Sequence, residues 1–290
     1  MKPIRAIAVL PTLFTLGNLV CGFFAVVVLA RIEKPVLNEA IPAPKIDSAR
    51  ELIGIVGSTD PTHNLMLSGA LILLAMFFDS VDGQVARLTR RTTDFGAQLD
   101  SLCDLVSFGL APSILLVKMC PQFTSLHSEA VWTIAALFTC CAALRLARFN
   151  VETDDNDDHM AFAGLPTPAA AAAIASFAIL SYTLRNEVNI ELHAKFPVYD
   201  WWMQRLLPFF AILIAILMVS RIPYPHPLTQ FLRGHHSFAH IVAIVFAVVA
   251  ILIVRGYAVP LLCVMFVVIP PLRYAWELYQ NRRMRDEPLF

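Results

Sequence analysis

Apolar residues run through this chain in blocks about as long as a bilayer is thick, with polar residues gathered between them. A hydrocarbon core of about 30 Å takes about 20 residues of helix to cross. On that measure the pattern predicts spans near 6–30, 65–88, 99–119, 129–149, 167–184, 205–220, 237–254 and 257–274. These nearly exhaust the chain and leave no room for a separate soluble domain. The expected fold is all-α: a polytopic membrane helix bundle of about eight transmembrane helices. Residues 31–64, with Pro35, Pro42, Pro44, Pro61 and scattered charge, read as an outer loop with a short helix near 47–56. The alanine-rich run at 169–175 suits close helix packing.

Composition agrees with that pattern. Hydrophobic residues make up 58% of the chain and charged ones 15%, with a mean hydropathy of +0.66, which excludes an ordinary soluble core. The formal net charge is zero, so no nucleic-acid partner is indicated. Charge distribution is more informative. With both termini cytoplasmic, the larger share of the 22 lysines and arginines falls on the inner side, which puts the turn near residue 90 at the cytoplasmic face. The first apolar run is too long for a cleaved leader and reads as a retained span. Cys21, Cys103, Cys120, Cys140, Cys141 and Cys263 lie in or beside apolar spans without a CxxC pair, so packing is expected of them.

The polar residues inside the spans are concentrated between positions 79 and 104. Asp79, Asp82, Gly83, Ala86 and Arg87 stand at i, i+3, i+4, i+7 and i+8, one stripe on a helix. Gly96, Asp100 and Asp104 form a second stripe at i, i+4 and i+8. The turn between, with Arg90, Arg91, Thr92 and Thr93, is short enough to make the two helices antiparallel neighbours with their acidic stripes facing. An aspartate in a membrane-spanning helix costs about 3 kcal/mol on insertion scales, so four of them require a partner. A hard divalent cation such as Mg2+ or Mn2+ takes carboxylate oxygens and keeps positions open for phosphate oxygens, and a pair can clamp both sides of a displacement at phosphorus. Neutralisation by Arg87, Arg90 and Arg91 alone would give no reason for small residues at these spacings. Gly83 and Ala86 leave a shallow groove along the helix backbone.

The full run Asp79-x-x-Asp82-Gly83-x-x-Ala86-Arg87, eight residues, Gly96-x-x-x-Asp100-x-x-x-Asp104 resembles the signature of the CDP-alcohol phosphotransferase family, matching it at all eight positions. Other stretches resemble the phosphatidylserine synthase branch of that family. They are Thr15-x-Gly17-Asn18-x-x-Cys21-Gly22 in the first span, the Arg145-x-x-Arg148-Phe149-Asn150 run, Phe162 to Pro168, and Leu217 to Tyr224. The Pro225-His226-Pro227 sequel departs from the resemblance, since a basic residue is expected there. From the residues alone, Asn18 has two readings: a bond to a neighbouring helix, or contact with nucleotide. Arg145 and Arg148 are one turn apart at a helix end and could bind two anions, whereas simple snorkelling explains Arg148 better than the deeper Arg145.

Three other clusters carry less. The acidic run from Glu152 to Asp158, followed by His159, lacks calcium-loop spacing and reads as a solvated loop. His193-x-Lys195-x-x-x-x-Asp200 matches the phospholipase D pattern, but that chemistry needs two copies, and this one reads as a short outer loop beside the interfacial Trp201 and Trp202. His235, His236 and His240 have no carboxylate companion and read as interfacial.

The resemblance implies a six-helix catalytic membrane core over residues 1–225, with 226–290 as a two-helix extension and cytoplasmic tail. It implies an enzyme, commonly a homodimer, that moves the phosphatidyl group of CDP-diacylglycerol to an alcohol and releases CMP; the branch runs point to L-serine. Asp79, Asp82, Asp100 and Asp104 would hold Mg2+ or Mn2+, two ions in all, with Asp104 also the general base. Thr15, Asn18, Gly83, Ala86, Arg87 and Gly96 would meet the CDP-lipid, and Arg145, Arg148 and Asn150 the serine and phosphate. The expected setting is a bacterial inner membrane, with the site facing the cytoplasm and membrane lipid around the bundle. The rival acceptors are glycerol 3-phosphate and inositol phosphate. A rival of another class is a cation transporter, which leaves Gly83, Ala86 and Gly96 without a reason.

Overall fold

The computed structural model describes residues 9–32, 61–89, 94–154, 162–185, 190–224 and 257–286. In chain order the elements are α1 (Val9–Ala30), α2 (Pro61–Thr89), α3 (Asp94–Asp104), a π-helical turn (Leu105–Leu110), α4 (Ala111–Met119), α5 (Pro121–Asp154), β1 (Phe162–Ala163), α6 (Thr167–Arg185), α7 (Ile190–Val219), β2 (Pro223–Tyr224) and α8 (Ala258–Asp286). Seven stretches among the described residues are long and apolar enough to cross a membrane, with α3, the π turn and α4 forming one of them. The protein is an integral membrane, all-α bundle. Seven of the expected spans are thus present, and the one near 237–254 lies outside the described residues, as do most of the outer loop with its short helix and the histidines at 235–240.

Two boundaries correct the sequence reading. The second span starts at Pro61, inside the expected loop 31–64, because proline suits the first turn of a helix, where its missing N–H leaves no bond unmade. The segment from His193 to Asp200 is helical and belongs to the first turns of α7, so the loop expected there does not exist. At its end Trp201 and Trp202 are exposed on the helix, with the Arg205 guanidinium 3.8 Å from the Trp201 ring centre.

Small residues set the spacing of the bundle. α1 lies along α2, α2 against α6, α5 against α7, and α8 against α6. The alanine run of α6, Ala170 to Ala175, is buried, and a side chain on Gly69 of α2 would come within 2.8 Å of the Ala175 carbonyl oxygen. Ile72, Phe108, Leu115, Phe138, Ile174 and Met218 fill the centre. Gly22 of α1 has a similar role. A β-carbon there would sit 2.7 Å from the Cα of Ser107 and closer still to its hydroxyl. Gly22→Ala is expected to destabilise the protein by about 1–3 kcal/mol, read as a lower Tm in detergent, because backbone has to move to admit one methyl group.

The π turn has a local cause. Pro112 cannot donate to the carbonyl four residues back, and its ring would press on that carbonyl in a continuous α-helix. Widening the preceding turn relieves the clash, and the Ala111 N–H reaches the Val106 carbonyl, five residues back. The Gly109 carbonyl is satisfied by the Ser113 hydroxyl at 2.7 Å and by Thr139 of α5 at 3.4 Å. Asp104 is the last residue before this irregular turn.

At the same end of the bundle the α5–α6 connection is strapped to the end of α7. Phe162 and Ala163 pair antiparallel with Tyr224 and Pro223. Gly164 takes φ +90°, its N–H bonds Ile222 O at 2.9 Å, and the next N–H, of Leu165, bonds Leu217 O at 3.0 Å. Any other residue at 164 would be strained and would drive its β-carbon to 2.6 Å from Met218 O. The Tyr224 hydroxyl donates to Val267 O of α8 at 3.1 Å, and burial pushes that phenol up to about 12, so the tie keeps its proton at any working pH.

Candidate active site

The two acidic stripes meet as their spacing requires. Asp79 and Asp82 come from the last turns of α2 and Asp100 from the middle of α3, and one carboxylate oxygen of each lies within 4.8 Å of the others. Asp82 is the deepest at 5% exposed, while Asp79 and Asp100 are half-buried. Thr15 of α1 and the Gly83 backbone hydrogen-bond Asp82, yet Asp82 Oδ2 and Asp100 Oδ1 are buried with no hydrogen-bond partner among the described residues. Buried carboxylate oxygens without a donor are costly unless a cation meets them. The donor set is all oxygen and all anionic, which fits a hard divalent cation. The cluster could therefore hold a metal ion.

Asp104 stands apart from this trio. It is 7% exposed, lies within electrostatic reach of Asp79, Asp100 and Asp82, and accepts a 2.8 Å hydrogen bond on Oδ1 from Asn18 Nδ2. Asn18 thus makes a bond to a neighbouring helix. The Ser107 hydroxyl, in the π turn, donates to the Asn18 carbonyl at 3.0 Å.

Gly83 differs from the packing glycines. A β-carbon on it would meet nothing within 4 Å among the described atoms. Nothing among the described residues demands its smallness, and that open face lies beside Asp82. Ala86 and Arg87 continue α2, but their side chains lie outside the described residues, as do Arg90 and Arg91. Gly96 lies half-buried on the first turn of α3.

The three residues expected to meet serine and phosphate surround the same end. Arg145 is 8% exposed, acts electrostatically on Asp104, and donates from Nη1 to the Thr167 hydroxyl at 3.2 Å. Arg148, one turn on, donates to Val219 O at the end of α7 at 3.0 Å. That carbonyl sits at the negative end of a helix, which gives Arg148 a capping role. Asn150 faces Ser101, donating from Nδ2 at 2.9 Å and accepting on Oδ1 at 3.1 Å. Ser101 and Ser107 escaped the sequence reading, and Thr167 entered it only as part of the Phe162 to Pro168 run. A signal existed for Ser107, which follows Asp100 and Asp104 at i+7 and i+3, close to the same stripe.

The profile of the family described as CDP-alcohol phosphatidyltransferase matches residues 8–215, most of the chain and all of the elements that build the acidic site. The chain belongs to this family. Among curated proteins it is similar to a CDP-diacylglycerol–serine O-phosphatidyltransferase of Helicobacter pylori, 34% identical over 165 residues, covering 57% of this chain and 63% of that one. It resembles another so named from Methanocaldococcus jannaschii, 38% identical over 161 residues, 56% of this chain and 65% of that one. An archaetidylserine synthase of Methanothermobacter thermautotrophicus is 38% identical over 157 residues, 53% of this chain and 56% of that one. The chain thus spans less than two thirds of the length of each of these relatives. The family match ends before α8, so the last helix is packed on the family bundle from outside it.

Proposed function

We propose that the protein transfers the phosphatidyl group of CDP-diacylglycerol to L-serine, giving phosphatidylserine and CMP. The observation that carries this reading is the convergence of Asp79, Asp82 and Asp100, with two buried carboxylate oxygens that have no donor among the described residues, beside a face of Gly83 that no described residue covers. The relatives' names favour serine, since the transferases named for diacylglycerol and the archaetidyl enzyme share that acceptor and differ in the lipid.

In the mechanism, Asp79, Asp82 and Asp100 would hold Mg2+ or Mn2+, which would supply charge neutralisation for the diphosphate and the departing CMP. The backbone at Gly83, with Ala86, Arg87 and Gly96 on the same two helices, forms the bed of the CDP group. Arg145 holds an anion, the serine carboxylate or the lipid phosphate, in a site where burial strengthens the attraction. Arg148 and Asn150 shape its rim through Val219 and Ser101. Asp104 takes the proton from the serine hydroxyl as that oxygen bonds to the lipid phosphorus. The phosphorus–oxygen bond to CMP breaks at the same centre, the electron pair leaves with CMP, and the proton stays on Asp104 until water removes it.

The same proposal places the site at the cytoplasmic face of a bacterial inner membrane, the protein as a homodimer, residues 1–225 as the catalytic core and 226–290 as an extension. The basic turn at 90–91 supports the orientation, and the family match ending at residue 215 supports the division.

The test is CMP release from CDP-diacylglycerol by purified protein in detergent with Mg2+ or Mn2+, offering serine and glycerol 3-phosphate separately. CMP that depends on serine is the expected result. CMP with glycerol 3-phosphate alone overturns the acceptor, and metal flux in vesicles without CMP release favours a transporter. A second expectation concerns the groove: Gly83→Leu should leave Tm unchanged and raise KM for CDP-diacylglycerol about tenfold or more, since its side chain enters space that no described residue fills.

A further inference from the structure

Asn18 is fully buried in α1, 86 residues away in sequence from the carboxylate it touches. Its Nδ2 donates to Asp104 Oδ1, and its Oδ1 has no partner among the described residues. With Asp104 ionised, as a general base is, its carboxylate only accepts, so turning the amide over would set oxygen against oxygen. An asparagine whose own oxygen is left without a donor in a buried site is a poor choice for stability alone. An apolar residue of similar shape would leave one fewer polar group to satisfy. What Asn18 provides is a fixed position for one oxygen of Asp104.

The backbone around it is fixed as well. The Ser107 hydroxyl donates to the Asn18 carbonyl, and Gly22, one turn further along α1, is seated on the Cα of Ser107 at 2.7 Å measured from the position of a β-carbon. Asp104, Asn18 and Ser107 therefore close a ring of contacts between α1 and the start of the π turn. Asn18 thereby engages one oxygen of Asp104, Oδ1. The Arg145 charge acts on the same carboxylate from α5.

We propose that Asn18 is a positioning residue for Asp104, clamping Oδ1 so that Oδ2 is presented to the acceptor hydroxyl, with Ser107 holding Asn18 in register. This rests on the reading of Asp104 as the general base. It also moves Asn18 from the nucleotide bed, where the family resemblance places it, to the base. A misplacement of about 1 Å in such a group costs about a hundredfold in rate, and the loss falls on kcat.

The experiment compares wild type, Asn18→Leu, Asn18→Gln, Ser107→Ala and Asp104→Asn in detergent. It reads kcat and KM for both substrates, together with equilibrium binding of Mn2+ and of CDP-diacylglycerol. Asn18→Leu, close in shape and without a donor, is expected to lower kcat about a hundredfold, with KM, Mn2+ affinity and CDP-diacylglycerol affinity within about twofold. Asn18→Gln, which keeps the amide, should recover part of kcat, and Ser107→Ala should lose several-fold in kcat alone. Should Asn18→Leu fail to fold, the Gln and Ala variants decide by the same split. Asp104→Asn inactive with Asn18→Leu at full turnover overturns this inference and leaves the base standing. Asp104→Asn retaining turnover overturns both. A rise in KM and a fall in affinity for CDP-diacylglycerol on Asn18→Leu, with kcat unchanged, returns Asn18 to the nucleotide bed and overturns the proposal.

Discussion

Asp104→Asn is expected to lower kcat about a thousandfold while CDP-diacylglycerol and Mn2+ still bind within about threefold of wild type. The size follows from what a positioned carboxylate contributes as a general base, about a hundred- to ten-thousandfold. A serine hydroxyl is a poor nucleophile at neutral pH, and an amide in the carboxylate's place keeps the shape without accepting the proton. The selectivity of the loss follows from geometry. Asp104 is not among the three residues whose oxygens gather within 4.8 Å, and one of its own oxygens is bonded to Asn18. Burst and steady-state CMP release in the two proteins, set beside binding isotherms for CDP-diacylglycerol and for Mn2+, would check it. A parallel loss of Mn2+ binding would instead make Asp104 a metal ligand first, and the base would have to be sought elsewhere.

The acidic site was legible because it is made of local spacings. Asp79 and Asp82 share a face of one helix and Asp100 and Asp104 of the next, with only four residues between the two helices. The spans were legible for a similar reason, since each is a single run of apolar residues. What could not be read depends on contacts between distant parts of the chain that leave no periodic mark. The strap of Phe162 and Ala163 on Pro223 and Tyr224 is two residues long, too short to alternate. Arg148 finds a backbone carbonyl of α7, and a carbonyl has no sequence signature. The π turn was hidden as well, although Pro112 inside an apolar span announces that some carbonyl upstream loses its partner. Asn18 shows the boundary between the two cases. The sequence flags it as a buried amide in need of a partner, and only the packing of α1 on the π turn identifies that partner as Asp104.

Asp82→Asn is expected to have the opposite signature, losing Mn2+ affinity by at least about a hundredfold and taking activity down with it. Asp82 is the most buried of the converging carboxylates, and its Oδ2 is one of the two oxygens without a donor among the described residues. The amide retains one oxygen for the Thr15 hydroxyl but replaces the other by an NH2 group, which repels a cation. Changes one shell further out from a metal typically cost ten- to a hundredfold in affinity, so loss of a charged ligand costs more. Stability separates this from misfolding. Removing one carboxylate from three crowded into a buried site relieves repulsion, so Tm in EDTA should equal or exceed that of wild type. Adding Mn2+ should raise the wild-type Tm and leave that of Asp82→Asn where it was, because only a ligand that binds the folded state lifts Tm. A variant with a lower Tm in EDTA and an intact Mn2+ shift would show Asp82 to be a packing residue, and the metal would then have to rest on Asp79 and Asp100.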